Sequence, residues 1–274
     1  MPGSDSAVIT STRNPRIVAA RQLDQRKQRR EQKRFLVEGL QLLHMALDAG
    51  ARPLEVFACE ELFAGAEAPA LMDRFRQAGA ELIPVSPNVM HALSERDAPQ
   101  GLVATFALFE AALDRLPLSG KDLVVVLDRL QDPGNLGTLI RTADAVGAAA
   151  VILIEPCVDP FDPKTVRGSM GSLFHLPMVH VSDVPALFDR LGGMGLCIVG
   201  ADAKLGEAYG EGVFEDGVAL VLGNEARGLS DDVRPHIQAW ARLPIVGKAE
   251  SLNVAVAGGV LMYAWRRAMD THHT

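Results

Sequence analysis

The stretch Leu123-Val-Val-Val-Leu-Asp-Arg-Leu-Gln-Asp-Pro-Gly-Asn-Leu-Gly-Thr-Leu-Ile-Arg-Thr-Ala-Asp144 joins a strand to a turn and a helix. Leu123–Leu127 is an unbroken apolar, β-branched run, the pattern of a strand covered on both faces in a parallel sheet. Asp132-Pro-Gly turns the chain, Asn135 is placed to cap a helix over about 136–147, and Gly147 closes it. Downstream the rhythm repeats. Strands are expected at Val151–Ile154, Met178–Val181, Cys197–Gly200 and Val218–Leu222, helices at 163–171 and 184–191, and a long final helix over about 251–268. The last helix is almost wholly apolar through Met262, so burial is expected for it. Strands alternating with helices predict a doubly wound α/β domain with a mostly parallel sheet over 122–270.

Upstream the signals are weaker and describe a smaller α/β domain over 13–108. A basic segment, 16–34, reads as helical and runs into a second helical pattern over Phe35–Asp48, where Phe35, Leu36, Leu40, Leu43 and Leu47 recur at helical spacing before Gly50. Leu54–Ala58, Glu81–Val85 and Gly101–Leu108 read as strands, Ala68–Ala78 and Asn88–Leu93 as helices. Residues 109–121, with Pro117 and Gly120, form a linker, and the small polar residues 1–12 a disordered lead-in.

Composition narrows the class. The 274 residues are 48% hydrophobic and 22% charged, as in a soluble globular protein. The longest apolar runs, Leu123–Leu127 and Ala148–Ile154, fall far short of the roughly 20 residues that span a bilayer. No basic segment leads into an apolar one at the start, so no secretory signal is expected. Cys59, Cys157 and Cys197 lie far apart in apolar surroundings and read as free thiols of a reducing cytoplasm. The seven histidines form no ligand cluster, so no metal is expected. No G-x-G-x-x-G follows a strand and no P-loop occurs, which weakens dinucleotide and nucleoside-triphosphate readings.

The net charge of −7 is unevenly spread. Residues 13–34 hold nine Lys or Arg against two acids, a local +7, which leaves −13 on residues 35–274. A basic patch on an acidic body suits phosphate contacts, with Arg13, Arg29, Arg30, Lys33 and Arg34 as candidate RNA contacts. A solvated helix face explains the same run.

Two further segments join strand ends to turns, where open α/β sheets bind ligands. In Leu220-Val-Leu-Gly-Asn-Glu-Ala-Arg-Gly-Leu-Ser230, glycines bracket Asn224 and Glu225; a plain turn with Glu225 paired to Arg227 is the alternative. In Leu243-Pro-Ile-Val-Gly-Lys-Ala-Glu-Ser-Leu-Asn-Val-Ala255, Ser251 and Asn253 stand at the mouth of the last helix, where Ser251 could be a simple cap. Arg141, less than two turns from a helix N-terminus, could hold an RNA phosphate or be an ordinary exposed charge.

In this order, Asn135-x-Gly137-x-x-x-Arg141, Gly223-Asn-Glu225-x-x-Gly228 and Ser251-Leu-Asn253-Val-Ala255 resemble the three motifs of the SpoU family of RNA 2′-O-ribose methyltransferases, in the SPOUT superfamily. Each motif is weak alone; the ordered triple is strong. Arg167-Gly-Ser-Met-Gly-Ser172 before Leu176-Pro177 resembles the family's middle segment. Ala226, where a glycine is common, departs from the pattern and bears on the turn geometry. Residues 13–108 are similar to the ribosomal-protein-type RNA-binding domain that many members carry.

The resemblance implies a sheet tied in a deep trefoil knot, a homodimer, and S-adenosylmethionine bound in a bent form by Ala201, Leu222, Gly223, Leu243, Ile245 and Leu252. It implies an active site of Asn135, Arg141, Glu225, Ser251 and Asn253. Arg141 would act as base or hold the adjacent phosphate; a guanidinium stays protonated, which favours the phosphate clamp and leaves the base open. Asn135, Ser251 and Asn253 would position the hydroxyl and the arginine, and Glu225 would fix the arginine or the loop. The acceptor would be structured RNA, ribosomal ahead of transfer RNA. A non-catalytic RNA-binding or ribosome-assembly protein with a relic knot is the alternative from another class.

Overall fold

The computed structural model describes residues 7–272. The described residues divide into two compact units, one of residues 7–109 with 161–174, the other of 110–160 with 175–272.

The first unit runs α1 (Pro15–Arg21), α2 (Arg26–Gln32), β1 (Arg34–Glu38), α3 (Leu40–Asp48), β2 (Pro53–Ala58), α4 (Glu67–Gln77), β3 (Glu81–Pro84), α5 (Pro87–Leu93) and β4 (Leu102–Ala107). Its sheet has the order β1-β4-β2-β3; only β2 and β3 pair in parallel. The helix expected over Phe35–Asp48 is in fact a strand followed by a helix. Lys33 takes a left-handed backbone (φ 52) that ends α2. Phe35 and Val37 are then buried on one face of β1, with Phe35 opposite Phe106 of β4. Gly39, at φ 110, turns the chain into α3. The leucines of α3 keep their helical period, whereas pairing with β4 overrides it before Gly39. The expected lead-in over 1–12 is ordered at Ile9, which bridges Val85 and bonds Pro84 and Ser86 through its backbone; residues 1–6 lie outside the described ones.

The segment 161–174 packs into this unit although it sits in the second half of the sequence. It carries α7 (Pro163–Gly168), shorter than the helix expected over 163–171. Phe161 and Phe174 lie 4.8 and 6.0 Å from the ring of Phe35, in a cluster with Phe106 and Phe109.

The second unit contains β5 (Leu123–Asp128), α6 (Pro133–Val146), β6 (Ala150–Ile154), β7 (Met178–Val181), α8 (Val184–Gly193), β8 (Cys197–Ala201), β9 (Glu207–Ala208), β10 (Val218–Leu222), β11 (Ala239–Arg242) and α9 (Val254–His272). All seven strands are parallel, in the order β7-β6-β5-β10-β8-β11-β9. β5, β6 and β10 are buried along their whole length, as their apolar runs require. β9 and β11 carry no such run: Ala239-Trp-Ala-Arg242 is largely half-buried, and it is a strand because β8 offers it a ladder.

This order decides the site. β10, β5, β8 and β11 are neighbours, so their carboxyl ends bring Gly223, Asp128, Ala201 and Leu243 to one edge of the sheet. α9 packs on α6 and buries Leu261, Met262 and Trp265, but Val256, Val260 and Tyr263 are exposed at 54%, 40% and 55%. The expectation of a fully buried last helix is thereby corrected to a helix with one uncovered face.

Candidate active site

Two helix starts differ from the sequence reading, and both differences build the site. Asp132, not Asn135, caps α6: its Oδ1 accepts the backbone N–H of Asn135 at 2.8 Å. Asn135 therefore sits in the first turn with its amide free for other work. Asn253, not Ser251, caps α9: its Oδ1 accepts from Ala255 and Val256 at 2.9 and 3.2 Å. Such caps satisfy N–H groups that the first helical turn leaves unpaired.

The loop after β10 is a tight reversal. Asn224 and Gly228 exchange both backbone hydrogen bonds, at 3.0 and 2.8 Å. A Cβ on Gly223 would collide with the Gly228 carbonyl carbon, and Gly228, at φ +68, takes a backbone that would strain a residue with a side chain. Ala226 is not among the residues at positive φ, so alanine costs the turn nothing. The Asn224 Oδ1 accepts from the N–H groups of Ala226 and Arg227, which fixes the crest of the loop.

The crest delivers Glu225 to the start of α6. Its Oε1 accepts from the Asp132 N–H at 3.0 Å and from Asn135 Nδ2 at 3.1 Å, and its Oε2 from the Gln131 N–H at 3.3 Å. A carboxylate is favoured there by the unpaired N–H groups and the helix dipole. Asn135 Oδ1 in turn accepts from Asn253 Nδ2 at 2.9 Å. Residues from three distant segments thus form one chain, Glu225–Asn135–Asn253. Glu225 does not pair with Arg227, nor does it hold Arg141.

Arg141 is exposed on α6 and makes no hydrogen bond or ion pair among the described residues. It lies six residues beyond Asn135, a rise of about 9 Å along the helix. Ser251 is exposed beside Asn253.

Next to this chain opens a cleft of about 650 Å³, within the usual span of small-molecule sites. Ala201, Leu222, Gly223, Leu243, Ile245 and Leu252, the six positions expected to hold a cofactor, all line it, as do Glu225, Ser251 and Asn253. Leu222, Leu243, Ile245 and Leu261 form apolar walls, and Asp202 and Glu225 bring carboxylates to them. Arg141 is not part of the lining.

Sequence reasoning missed Asp202 and Arg234. Asp202 follows β8 and its Oδ1 accepts from the N–H groups of Lys204 and Leu205. Arg234 lies 3.8 Å from the Asp202 carboxylate and 5.5 Å over the Trp240 ring. The strand end gives a faint signal for Asp202; nothing in sequence marks Arg234.

The basic arm divides. Arg13, Arg30 and Lys33 are exposed. Arg29 is 2% exposed, its Nη1 donating to the carbonyls of Leu23 and Asp24 at 2.8 Å each, which corrects its place among the RNA contacts: the guanidinium is engaged inside the unit. Arg34 is half-buried against Glu55 and bonds Gln32 as well. Among the described residues no group of His, Cys, Asp and Glu is placed to hold a metal, and no helix is long and apolar enough to cross a membrane.

Residues 122–263 match the SpoU rRNA Methylase family, and residues 14–104 match the MRM3-like substrate binding domain. A 23S rRNA (guanosine(2553)-2′-O)-methyltransferase of Bacillus subtilis is 33% identical over 94% of this chain and 98% of its own. A 23S rRNA (uridine(2479)-2′-O)-methyltransferase of Streptomyces viridochromogenes is also 33% identical, over 88% of this chain and 85% of its own. The AdoMet-bound rRNA methyltransferase of Sinorhizobium meliloti superposes with a TM-score of 0.85 at 33% identity, covering 96% of this chain and 98% of that one.

Proposed function

The chain belongs to the SpoU rRNA methylase family, and on that premise we propose that it transfers the methyl group of S-adenosylmethionine to a ribose 2′-hydroxyl of 23S ribosomal RNA. The observation that carries this reading is the Glu225–Asn135–Asn253 chain at the lip of the cleft, which draws the three separated motifs into one place.

The cleft fits the donor. Apolar walls suit an adenine ring, and the Asp202 carboxylate suits a sulfonium charge. When bound, the donor supplies a methyl group that is already activated. What remains for the protein is to align a hydroxyl and let it lose a proton. Arg141, exposed and without a partner among the described residues, holds the phosphate beside the acceptor ribose; a guanidinium stays protonated and is not the base. Ser251 and the Asn135–Asn253 pair orient the hydroxyl, and Glu225 holds the loop against α6.

The same proposal includes two features that the family resemblance implies. One is a deep trefoil knot, which rests on the family match alone. The other is a homodimer, supported by the uncovered Val256, Val260 and Tyr263 on α9. Sedimentation of the wild type and of Val256→Glu tests the dimer: a monomeric wild type overturns it.

Two relatives of equal identity act on different nucleosides, a guanosine and a uridine, so the acceptor must be found by experiment. Purified protein with tritiated S-adenosylmethionine should label 23S rRNA, and mapping of the 2′-O-methyl should give one position. Labelling of transfer RNA alone overturns the choice of substrate, and labelling of no RNA with tight RNA binding retained overturns the enzyme.

A further inference from the structure

Behind the Gly223–Gly228 loop lies a cluster that none of the three motifs contains. β5 ends at Asp128, a carboxylate buried at 0% exposure that accepts from both the N–H and the Oγ of Ser230 at 2.7 Å. The next residue, Arg129, adopts a left-handed backbone, φ 55. Its guanidinium then grips the Asp232 carboxylate with two bonds, 2.8 and 2.7 Å, while its carbonyl accepts from Asn224 Nδ2 at 2.9 Å. The Arg129 hydrogen bonds hold the Asp232 carboxyl well below the ordinary carboxylate range.

Left-handed backbone is disfavoured for a residue with a side chain, and it persists where the surroundings hold it. Here the two-pronged ion pair and the buried Asp128 are what hold it. Stability alone is a poor account of the pair, because its side chains are 30% and 49% exposed and exposed ion pairs contribute little. Its geometric consequence is larger. The fixed Arg129 carbonyl anchors Asn224, whose Oδ1 fixes the N–H groups of Ala226 and Arg227 just beyond Glu225 and so the direction that residue takes. Glu225 meets Asn135, and Asn135 meets Asn253.

We infer that Arg129 and Asp232 are positioning residues for methyl transfer: their ion pair, seated on Asp128 and Ser230, sets the angle at which the Asn224 loop presents Glu225 to Asn135 and Asn253. The inference rests on the catalytic reading above. It adds to that site a support that touches neither donor nor acceptor.

The test compares Asp232→Ala, Asp232→Glu and Arg129→Lys in the full chain, at a temperature where all three are folded by circular dichroism. Misplacement of reacting groups by about 1 Å can cost two orders of magnitude, so Asp232→Ala is expected to lower kcat by about ten- to a hundredfold. The KM for RNA stays near the wild-type value, and Asp232→Glu recovers most of the rate. The side-chain amide resonances of Asn224 and Asn135, read by 15N NMR without any turnover, shift in Asp232→Ala and return in Asp232→Glu. An unchanged kcat, or a loss that tracks only the folded fraction, overturns the inference. If the wild type itself methylates no RNA, the catalytic reading fails; unshifted amides in Asp232→Ala then overturn the positioning claim separately. Should Asp232→Ala not fold, Arg129→Lys, which keeps a charge but loses the two-pronged grip, is read by the same criteria.

Discussion

The strand-end loops of the second unit and the basic arm of the first both carry charge and use it in opposite ways. At the strand ends, Glu225 is spent on a helix N-terminus while Arg141 is left with no partner among the described residues. In the basic arm, Arg29 is buried on two carbonyls and Arg34 is spent on Glu55, and exposed cations remain at Arg13, Arg30 and Lys33. Spacing in a motif states a geometric requirement, since three short patterns must meet at one sheet edge. A count of arginines states none: it does not separate a cation that faces water from one that braces a turn.

Substitutions can break this comparison, beginning with the largest effect. Arg141→Ala should lower methyl transfer by about a hundredfold or more, since alignment is the main task left to the protein, while calorimetric S-adenosylmethionine affinity stays near wild type. Near-normal turnover would remove Arg141 from the site. Arg29→Met should destabilise the chain by about 1–3 kcal/mol in chemical denaturation, because the buried Leu23 carbonyl and the partly buried Asp24 carbonyl lose a charged donor, and should leave the salt slope of RNA binding unaltered. A flattened slope with unchanged stability would return Arg29 to the RNA contacts.

A smaller effect belongs to the exposed cations. Replacing Arg13, Arg30 and Lys33 by Gln should weaken RNA binding and flatten its salt dependence by about 0.7–0.9 for each phosphate no longer neutralised. An unaltered slope makes the arm a solvated helix face. The smallest effect is one of pH. The Asp232 carboxyl titrates below its unfolded value, so its contribution to stability is present above the ordinary carboxylate range and fades as pH falls through that range and below. Melting curves of the wild type and Asp232→Asn should therefore differ most near neutral pH and converge in acid; a constant gap would show that the ionised pair does not stabilise the fold.

The apolar runs at Leu123–Leu127 and Val218–Leu222 made the parallel sheet legible, and the motif spacings made Asn135, Glu225 and Asn253 legible. The capping assignments within those motifs were partly wrong. Asp132 and Asn253 are the residues that cap α6 and α9, and Asn135 is thereby released to bridge Glu225 and Asn253. Phe35–Glu38 misled because Phe35 and Leu36 continue the helical spacing of the leucines after Gly39, while Phe35 and Val37 alternate as a strand buried on one face requires. Asp128, Arg129 and Asp232 gave no signal, since their meaning lies in bonds that reach across about a hundred residues of chain.

The order of amino acids is enough to settle which strands are buried, where the chain must turn, and which three segments share a task. Those features are local: apolar periodicity, glycine backbone freedom and fixed spacing act within a few residues. Folding in three dimensions is what places β10 between β5 and β8, packs residues 161–174 with the first unit, and selects the arginines that face water. Strand order and side-chain partners depend on surfaces far apart in the chain, and no local pattern tells a charged side chain drawn into the core, such as Arg29, from one that faces water.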